Sequence, residues 1–332
     1  MTGRILLLPS NRLQKPGAPP PKFGIADALV RAGFEAEVLD VNAAPRNPAA
    51  RKPSLYASID PWRAFTVLLF RRKAKAVVSY YQSGALLILA LRRLFAFKPK
   101  VVIVDIGDVT NWPMRARIVS YCIVRADAVF CFAADQAEDL RRRYPRATIR
   151  VLPQQIDTEL FRPGSEEGDY LLSVGDDISR DYETLANAVF DLGVPVTLRT
   201  GKAIHHKAVT VAPRGSDADL IALYRGAKIV VVPLHDMCHP GGISTLLEAF
   251  ACGNAVVACS ARGIRDYLHH EENCLTVPCG DAEALRSAVV RLLGDDALRT
   301  RLGRAARHYA ETELSQDRYA RRLSAAIAAL PR

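Results

Sequence analysis

The stretch HPGGISTLLEAFACGNAVVACS, from His239 to Ser260, holds the residues whose types and spacing point most directly to chemistry. Gly241 and Gly242 stand just ahead of a helix-patterned apolar run that starts near Ser244. Backbone N–H groups in the first turn of a helix have no partner within it, and the helix dipole adds partial positive charge there. A phosphate fits that position, and glycines let it approach the main chain because no side chain intervenes. Glu248 follows Ser244 by four residues, one helical turn, so its carboxylate falls on the same face. There it can accept hydrogen bonds from the vicinal hydroxyls of a ribose. A capped helix bearing a surface glutamate reads equally well from the same residues. Nearby, His235, Cys238 and His239 crowd within five residues. That span is too short to enclose a zinc ion without distant partners, so no metal is expected.

Such a loop must be presented by particular elements. Short β-branched runs alternate with amphipathic helical runs along the whole chain. In the first half they cover Arg4–Ser10, Glu35–Val41, Ala76–Tyr81, Lys100–Ile106, Ala128–Ala134 and Ile149–Gln154. In the second they cover Tyr170–Gly175, Pro195–Gly201, Ala208–Pro213, Lys228–Leu234, Asn254–Ser260 and Asn273–Pro278. Continuous apolar runs, rather than strict alternation, predict strands buried on both faces of a parallel sheet. The expected fold class is therefore α/β: two Rossmann-like, doubly wound parallel-sheet domains in series. Residues 1–156 form the first, 157–312 the second, with the polar, proline-bearing stretch Ile156–Asp169 as hinge. The segment 313–332, a helix with no strand after it, is expected to pack back on the first domain. Ligands in such folds bind beyond the carboxyl ends of the strands. The loop after the first run, Pro9–Gly24, is proline-rich and opens a helix near Phe23. It carries neither GxGxxG nor a P-loop, which disfavours a dinucleotide-binding fold.

At 332 residues, with 49% hydrophobic and 24% charged, the chain can bury two cores. Seven cysteines, an odd count without metal spacing or a preceding signal peptide, predict reduced thiols and a cytoplasmic setting. The most apolar stretch, Gly84–Leu91, is cut off by Arg92 and Arg93, short of the roughly 20 residues that span a bilayer. Charge is unevenly placed: residues 1–155 carry 25 Lys and Arg against 11 Asp and Glu, and residues 156–332 carry 20 against 24. The basic half faces something anionic. Nucleic acid is disfavoured, since aromatics are 7% of the chain and do not interleave with the basic runs. The cations lie beside apolar helices at Pro61–Lys75 and Ala85–Lys100, which suits an anionic membrane surface or an anionic lipid-linked acceptor. The plainer alternative is the solvated outer face of ordinary amphipathic helices.

Several segments resemble the retaining, GT-B-fold glycosyltransferases of family 4. HPGGISTLLEAFACGNAVVA resembles that family's donor-binding helix, roughly LLEAxACGxPVVA. Arg262–Arg307 follows the family's order of loop, strand, "VPxGDxxAL" turn and terminal helices. VLPQQIDTELFRP (Val151–Pro163) resembles its interdomain "VIPNGVDxxxFxP" segment, and Ser173–Val189 its "VGRLxxxKGxxxLIxA" stretch. The likeness is specific from about residue 127 to 320.

The resemblance implies a GT-B architecture with an interdomain cleft, the donor held by the C-terminal domain and the acceptor by the N-terminal one. It implies sugar transfer from a nucleotide-diphosphate sugar to a glycan or lipid-linked hydroxyl, with retention and without a further cofactor. Arg180 takes the place of the family lysine at the donor diphosphate, where a planar guanidinium fork suits phosphate. Its alternative is an ion pair with Asp176 or Asp177. Glu248 matches the second glutamate of the family's pair, at the ribose. Gly241, Gly242, Ser244 and Thr245 match the loop around the diphosphate and sugar, with His239 beside it, and Arg214 falls where the family contacts the base. Three positions depart from the pattern. Pro240 stands where the first glutamate should be, and Asp176 where the first arginine should be. All seven histidines lie in the second half, so none is available after the fourth strand. Asp105 and Asp108 stand there instead, and either carboxylate could orient or deprotonate an acceptor hydroxyl. Two other readings remain: a non-catalytic nucleotide-sugar-binding relative, and an unrelated nucleotide-dependent α/β enzyme such as an epimerase. The latter calls for a second glycine-rich phosphate loop that the first half does not show.

Overall fold

The computed structural model describes residues 3–10, 24–41, 59–106, 113–164, 168–202, 204, 207, 209–213 and 215–331. Two wholly parallel six-stranded sheets run through it. The first is built from β1 (Arg4–Leu8), β2 (Glu35–Val38), β3 (Ala76–Tyr80), β4 (Lys100–Val104), β5 (Ala128–Cys131) and β6 (Ile149–Val151), in the order β2-β1-β3-β4-β5-β6. The second contains β7 (Tyr170–Val174), β8 (Val196–Arg199), β9 (Thr210–Ala212), β10 (Ala227–Val232), β11 (Val256–Cys259) and β12 (Leu275–Val277), in the order β12-β11-β10-β7-β8-β9. Both orders reverse once, between β1 and β3 and between β7 and β10. Those are the switch points where doubly wound sheets open a crevice.

All twelve apolar runs form strands, each shorter than its run. The Arg4 run leaves the ladder at Leu8 because Pro9 has no N–H to donate. Helices lie between the strands. In the first sheet they are α1 (Gly24–Arg31), α2 (Pro61–Phe70), α3 (Ala85–Leu91), α4 (Pro113–Arg125) and α5 (Ala134–Arg143). The helices expected to reach Lys75 and Lys100 stop at Phe70 and Leu91. α2 ends on Arg71, whose backbone is no longer helical, and the chain past α3 turns through Ala96 at φ 46°.

By contact, residues 1–153 together with 319–332 make one compact unit, and residues 154–318 make the other. In the first unit, alternate strand residues such as Leu6, Val77, Ile103 and Val129 pack against Val67, Ile88, Ile123 and Leu140, which puts α2 to α5 on one face of the sheet. Each such fully buried aliphatic side chain contributes about 1.5–3 kcal/mol. One buried strut ties the carboxyl ends of this sheet together. Arg63 of α2 pairs with Asp60 at 2.5 Å, donates to Pro9 O at 2.9 Å and Leu39 O at 3.3 Å, and donates to the Ser83 hydroxyl. Burial lowers the Arg63 pKa, and Asp60 opposes that shift.

The second unit surrounds its sheet with α6 (Tyr182–Val189), α7 (Asp217–Gly226), α8 (Ile243–Ala251), α9 (Ala282–Gly294) and α10 (Asp296–Glu313). Leu171, Leu172, Ile229 to Val232 and Val256 to Cys259 have no exposed surface, as strands covered on both faces require. The chain then enters α11 (Gln316–Ala328), which buries Tyr319, Leu323 and Ile327, and Arg150 Nη1 donates to Ala326 O at 3.4 Å.

Candidate functional site

The site is built where β7 and β10, neighbours at the second sheet's switch point, release their chains. After β7 the backbone turns at Gly175 (φ +138°), and a Cβ there would lie 2.3 Å from Arg180 Nε. Only glycine lets the guanidinium lie down on the main chain. Residues 179–181 then zip onto the chain leaving β10: His235 N donates to Ser179 O at 2.8 Å and Asp181 N to Pro233 O at 3.1 Å. Arg180 is thereby held with 6% of its surface exposed.

Two side chains fix its fork. Nε donates to Asp177 Oδ2 at 3.0 Å, Nη2 donates to Thr245 Oγ1 at 2.8 Å, and Thr245 Oγ1 donates onward to Val174 O at 3.0 Å. Nη1 is buried and has no hydrogen-bond partner among the described residues. Burial would raise the Asp177 carboxyl, but Arg180 and the Ser179 hydrogen bonds outweigh it and hold the pKa below its usual value. Asp177 therefore stays charged, as a partner for a buried guanidinium must.

Opposite lies the start of α8. Gly242 precedes it at φ +81°, and among the described residues no side chain caps its first turn. A Cβ on Gly241 would meet Ser179 Oγ at 2.0 Å and Asp177 Oδ1 at 2.7 Å. Gly241 is thus required for the two loops to close on each other, and Gly242 for the left-handed turn into α8. Uncapped N–H groups, the dipole of α8 and a guanidinium with a free nitrogen together favour an anion. Lys202, whose Nζ donates to Asp177 O at 2.8 Å, adds another cation beside this loop.

One turn into α8, Glu248 Oε2 accepts from the Tyr224 hydroxyl at 2.8 Å. Burial pushes the Glu248 carboxyl up to about 7, with Tyr224, Arg180 and Arg199 pulling the other way. Tyr224 is buried, and its own pKa is raised far enough that it remains a donor. Ser244 is exposed on the same helix, and Gln154 Nε2 approaches its hydroxyl at 3.4 Å. His239 contributes its carbonyl, which accepts from Gly241 N at 2.7 Å.

The structure thus brings Arg180, Gly241, Gly242, Thr245 and Glu248 to one end of the second sheet. It also explains Asp176: its carboxylate accepts from Thr200 Oγ1 at 2.8 Å and from Gly201 N, fastening the loop after β8. Arg214 and Asp108 lie outside the described residues. Asp105, in the first unit, is 1% exposed at φ +56°. Its Oδ1 accepts from Ile106 N at 2.7 Å and Gln136 Nε2 at 3.0 Å, and burial together with the nearby Asp105 charge raises the Tyr81 pKa. The sequence marks Asp177 only as an alternative ion-pair partner of Arg180, and that pair is present; Tyr224, Lys202 and Gln154 are not singled out. Tyr224 sits in a helical pattern that reads as core, and the others lie in loops without a motif. Among the described residues, no three His, Cys, Asp or Glu side chains gather as a metal site. The seven cysteines are unbridged.

Residues 198–309 match the family described as Glycosyl transferases group 1. That match falls within the second unit. The chain also aligns with D-inositol 3-phosphate glycosyltransferases. The one from Saccharomonospora viridis is 36% identical over 59% of this chain and 55% of its own length. The one from Xylanimonas cellulosilytica is 26% identical over 60% of this chain and 57% of its length. The chain thus spans little more than half of these curated relatives. In fold, the chain is similar to sucrose-phosphate synthase from Thermosynechococcus elongatus, with a TM-score of 0.74, 20% identity and 98% of both chains covered. It is also similar to Anabaena Alr3699/HepE, solved with UDP and glucose, with a TM-score of 0.70, 13% identity, and 99% of this chain and 100% of that one covered. The two Rossmann-like units are those of the GT-B fold.

Proposed function

We propose that this protein transfers a sugar from a nucleoside-diphosphate sugar to a hydroxyl acceptor, with retention of anomeric configuration. The observation that carries the reading is the buried Arg180 fork with its unpartnered Nη1, set against the uncapped start of α8. The donor diphosphate would take Nη1 and the backbone N–H groups from Gly242 to Thr245, and Ser244 would bond its outer oxygens. Glu248, on the next turn, would accept from the ribose hydroxyls, while His239 and Arg214 would flank the sugar and base. UDP is the nucleotide to try first, because it is the one bound by Alr3699/HepE.

In the reaction the bond from the anomeric carbon to the diphosphate oxygen breaks. A bond from the same carbon to the acceptor oxygen forms, and the acceptor proton leaves with the diphosphate. Fixed positive charge where the leaving group gains its negative charge is the protein's main contribution. No metal or covalent nucleophile is needed for that. The basic first half suits an acceptor that carries phosphate, as the relatives named for inositol phosphate do. Asp105 and Asp108 would act on the acceptor side; for Asp105 we propose positioning of the strand end, since its carboxylate is already engaged.

A second reading, donor binding without transfer, is favoured by Pro240 and Asp176 at the two departing positions. Titration of the purified protein with UDP, GDP, ADP and their sugars, followed by transfer assays and NMR of the product anomer, separates the readings. Binding and transfer should both fall at least roughly ten-fold in Arg180→Ala, the loss of one charge-assisted contact. No binding of any nucleotide would sink both readings, and binding without transfer would leave the second.

A further inference from the structure

Helix α2 exposes a row of large apolar side chains that no group among the described residues covers. Trp62, Phe65 and Leu69 recur at helical spacing on its outer face, with Phe70 beside them; Trp62 is 56% and Phe70 71% exposed. The row continues onto the turn after α3, where Leu94 is 81% exposed. The rings of Phe65 and Phe95 meet edge-to-face at 6.2 Å and join the two stretches. The opposite face of α2 is fixed by Val67 and Leu68 in the core and by the Arg63 strut, so the exposed row is held rigidly outward.

The charges around this row have one sign. Residues 61–100 contain nine Lys and Arg and no Asp or Glu, and α4 contains no acid either. Arg71 is paired with Glu37, Arg92 with Asp127, and Arg63 is buried. Arg72, Lys73, Arg93 and Lys98 are exposed, with no ion pair among the described residues. A hollow of about 430 Å³ between α3 and α4 is lined by Leu89, Ala90, Arg92, Arg93, Val124 and Arg125, wide enough for a phosphate headgroup.

We propose that the α2–α3 face docks on an anionic lipid surface, with Trp62, Leu69, Phe70 and Leu94 entering the headgroup–acyl boundary. Arg72, Lys73, Arg93 and Lys98 then lie at headgroup level. An apolar row with a cationic rim is what a lipid interface selects. Leu69 and Leu94 have no stacking surface for a nucleobase, which sets this face apart from a single-strand binding platform. The proposal is independent of the donor site.

The test is co-sedimentation of the full chain with vesicles of phosphatidylcholine alone and with one quarter phosphatidylglycerol, alongside Trp emission. Binding to the anionic vesicles only, weakened by salt, is expected, with a blue shift that is lost in Trp62→Phe. Removing two cations in Arg72→Gln/Lys73→Gln should weaken partitioning by roughly 25-fold. Phe70→Ser/Leu94→Ser should weaken it by roughly ten-fold or more. Both variants alter only exposed side chains, so unchanged melting and nucleotide binding show that they are folded. Equal binding to neutral vesicles, no binding to either, or full binding by both variants overturns the proposal. So does a self-association, or a binding to RNA, that the same variants abolish while vesicle binding is absent.

Discussion

Arg180 shows how much a single residue depends on its neighbours. A guanidinium this deeply buried is stable only where its donors are taken up, and here Asp177 and Thr245 take two while the third nitrogen waits. Gly175 makes the space. Gly175→Ala adds a Cβ 2.3 Å from Nε at a backbone angle that L side chains avoid, so the fork must move. We expect a loss of roughly 1–3 kcal/mol in urea unfolding and at least roughly ten-fold weaker nucleotide binding. Glu248 supplies a pH signature. Its folded pKa of about 7 lies above the ordinary glutamate value, so the folded state binds a proton more tightly than the unfolded one. Stability from this group is therefore full below the unfolded pKa and is lost as pH rises through about 7. Glu248→Gln should stabilise the ligand-free protein by on the order of 1–3 kcal/mol at pH well above 7 and by little near the unfolded value. Urea midpoints at the two ends of that window check this. A constant difference across it would mean that the carboxyl titrates normally.

The elements were largely legible. Twelve continuous apolar runs became twelve parallel strands because strands covered on both faces leave no room for alternation. Their ends were not legible. Val41 and Tyr81 have good strand propensity, but a strand stops where the partner's ladder stops, which is a property of two segments. The same holds for the site. The glycines before α8 and the turn to Glu248 are local patterns that can be read in order. Tyr224, 24 residues before Glu248, meets it only because α7 and α8 come together. Asp105 read as a carboxylate free to meet a substrate, but a strand end that turns through a left-handed residue has to anchor it. At this scale the loop from β10 into α8 is the critical element. Gly241→Ala must push Ser179 and Asp177 away, since its Cβ would fall 2.0 Å from Ser179 Oγ. Nucleotide affinity should fall at least roughly ten-fold with the circular dichroism spectrum unchanged. In the first sheet the corresponding element is α2. Asp60→Ala leaves the Arg63 guanidinium buried without its counter-charge, and a loss of about 3–5 kcal/mol is expected by denaturant titration.

At the scale of the molecule the chain is two units with separate cores. If the donor binds only the second, calorimetry should show one transition moving with nucleotide while the other stays. At 100 times its dissociation constant a ligand adds about 2.7 kcal/mol, or roughly 5–10 °C for a unit of this size. A uniform shift of both transitions would mean that the units melt together. The units are also unequal in sequence: the first is interrupted, since residues 319–332 belong to it and the whole second unit lies between. During synthesis the first sheet therefore leaves the ribosome early but still lacks the segment that supplies Tyr319, Leu323 and Ile327. Domains made early usually fold early. Here the earlier half has to persist unfinished while about 165 further residues are made and folded. A stop codon just before residue 316 would accordingly harm the half that was translated first.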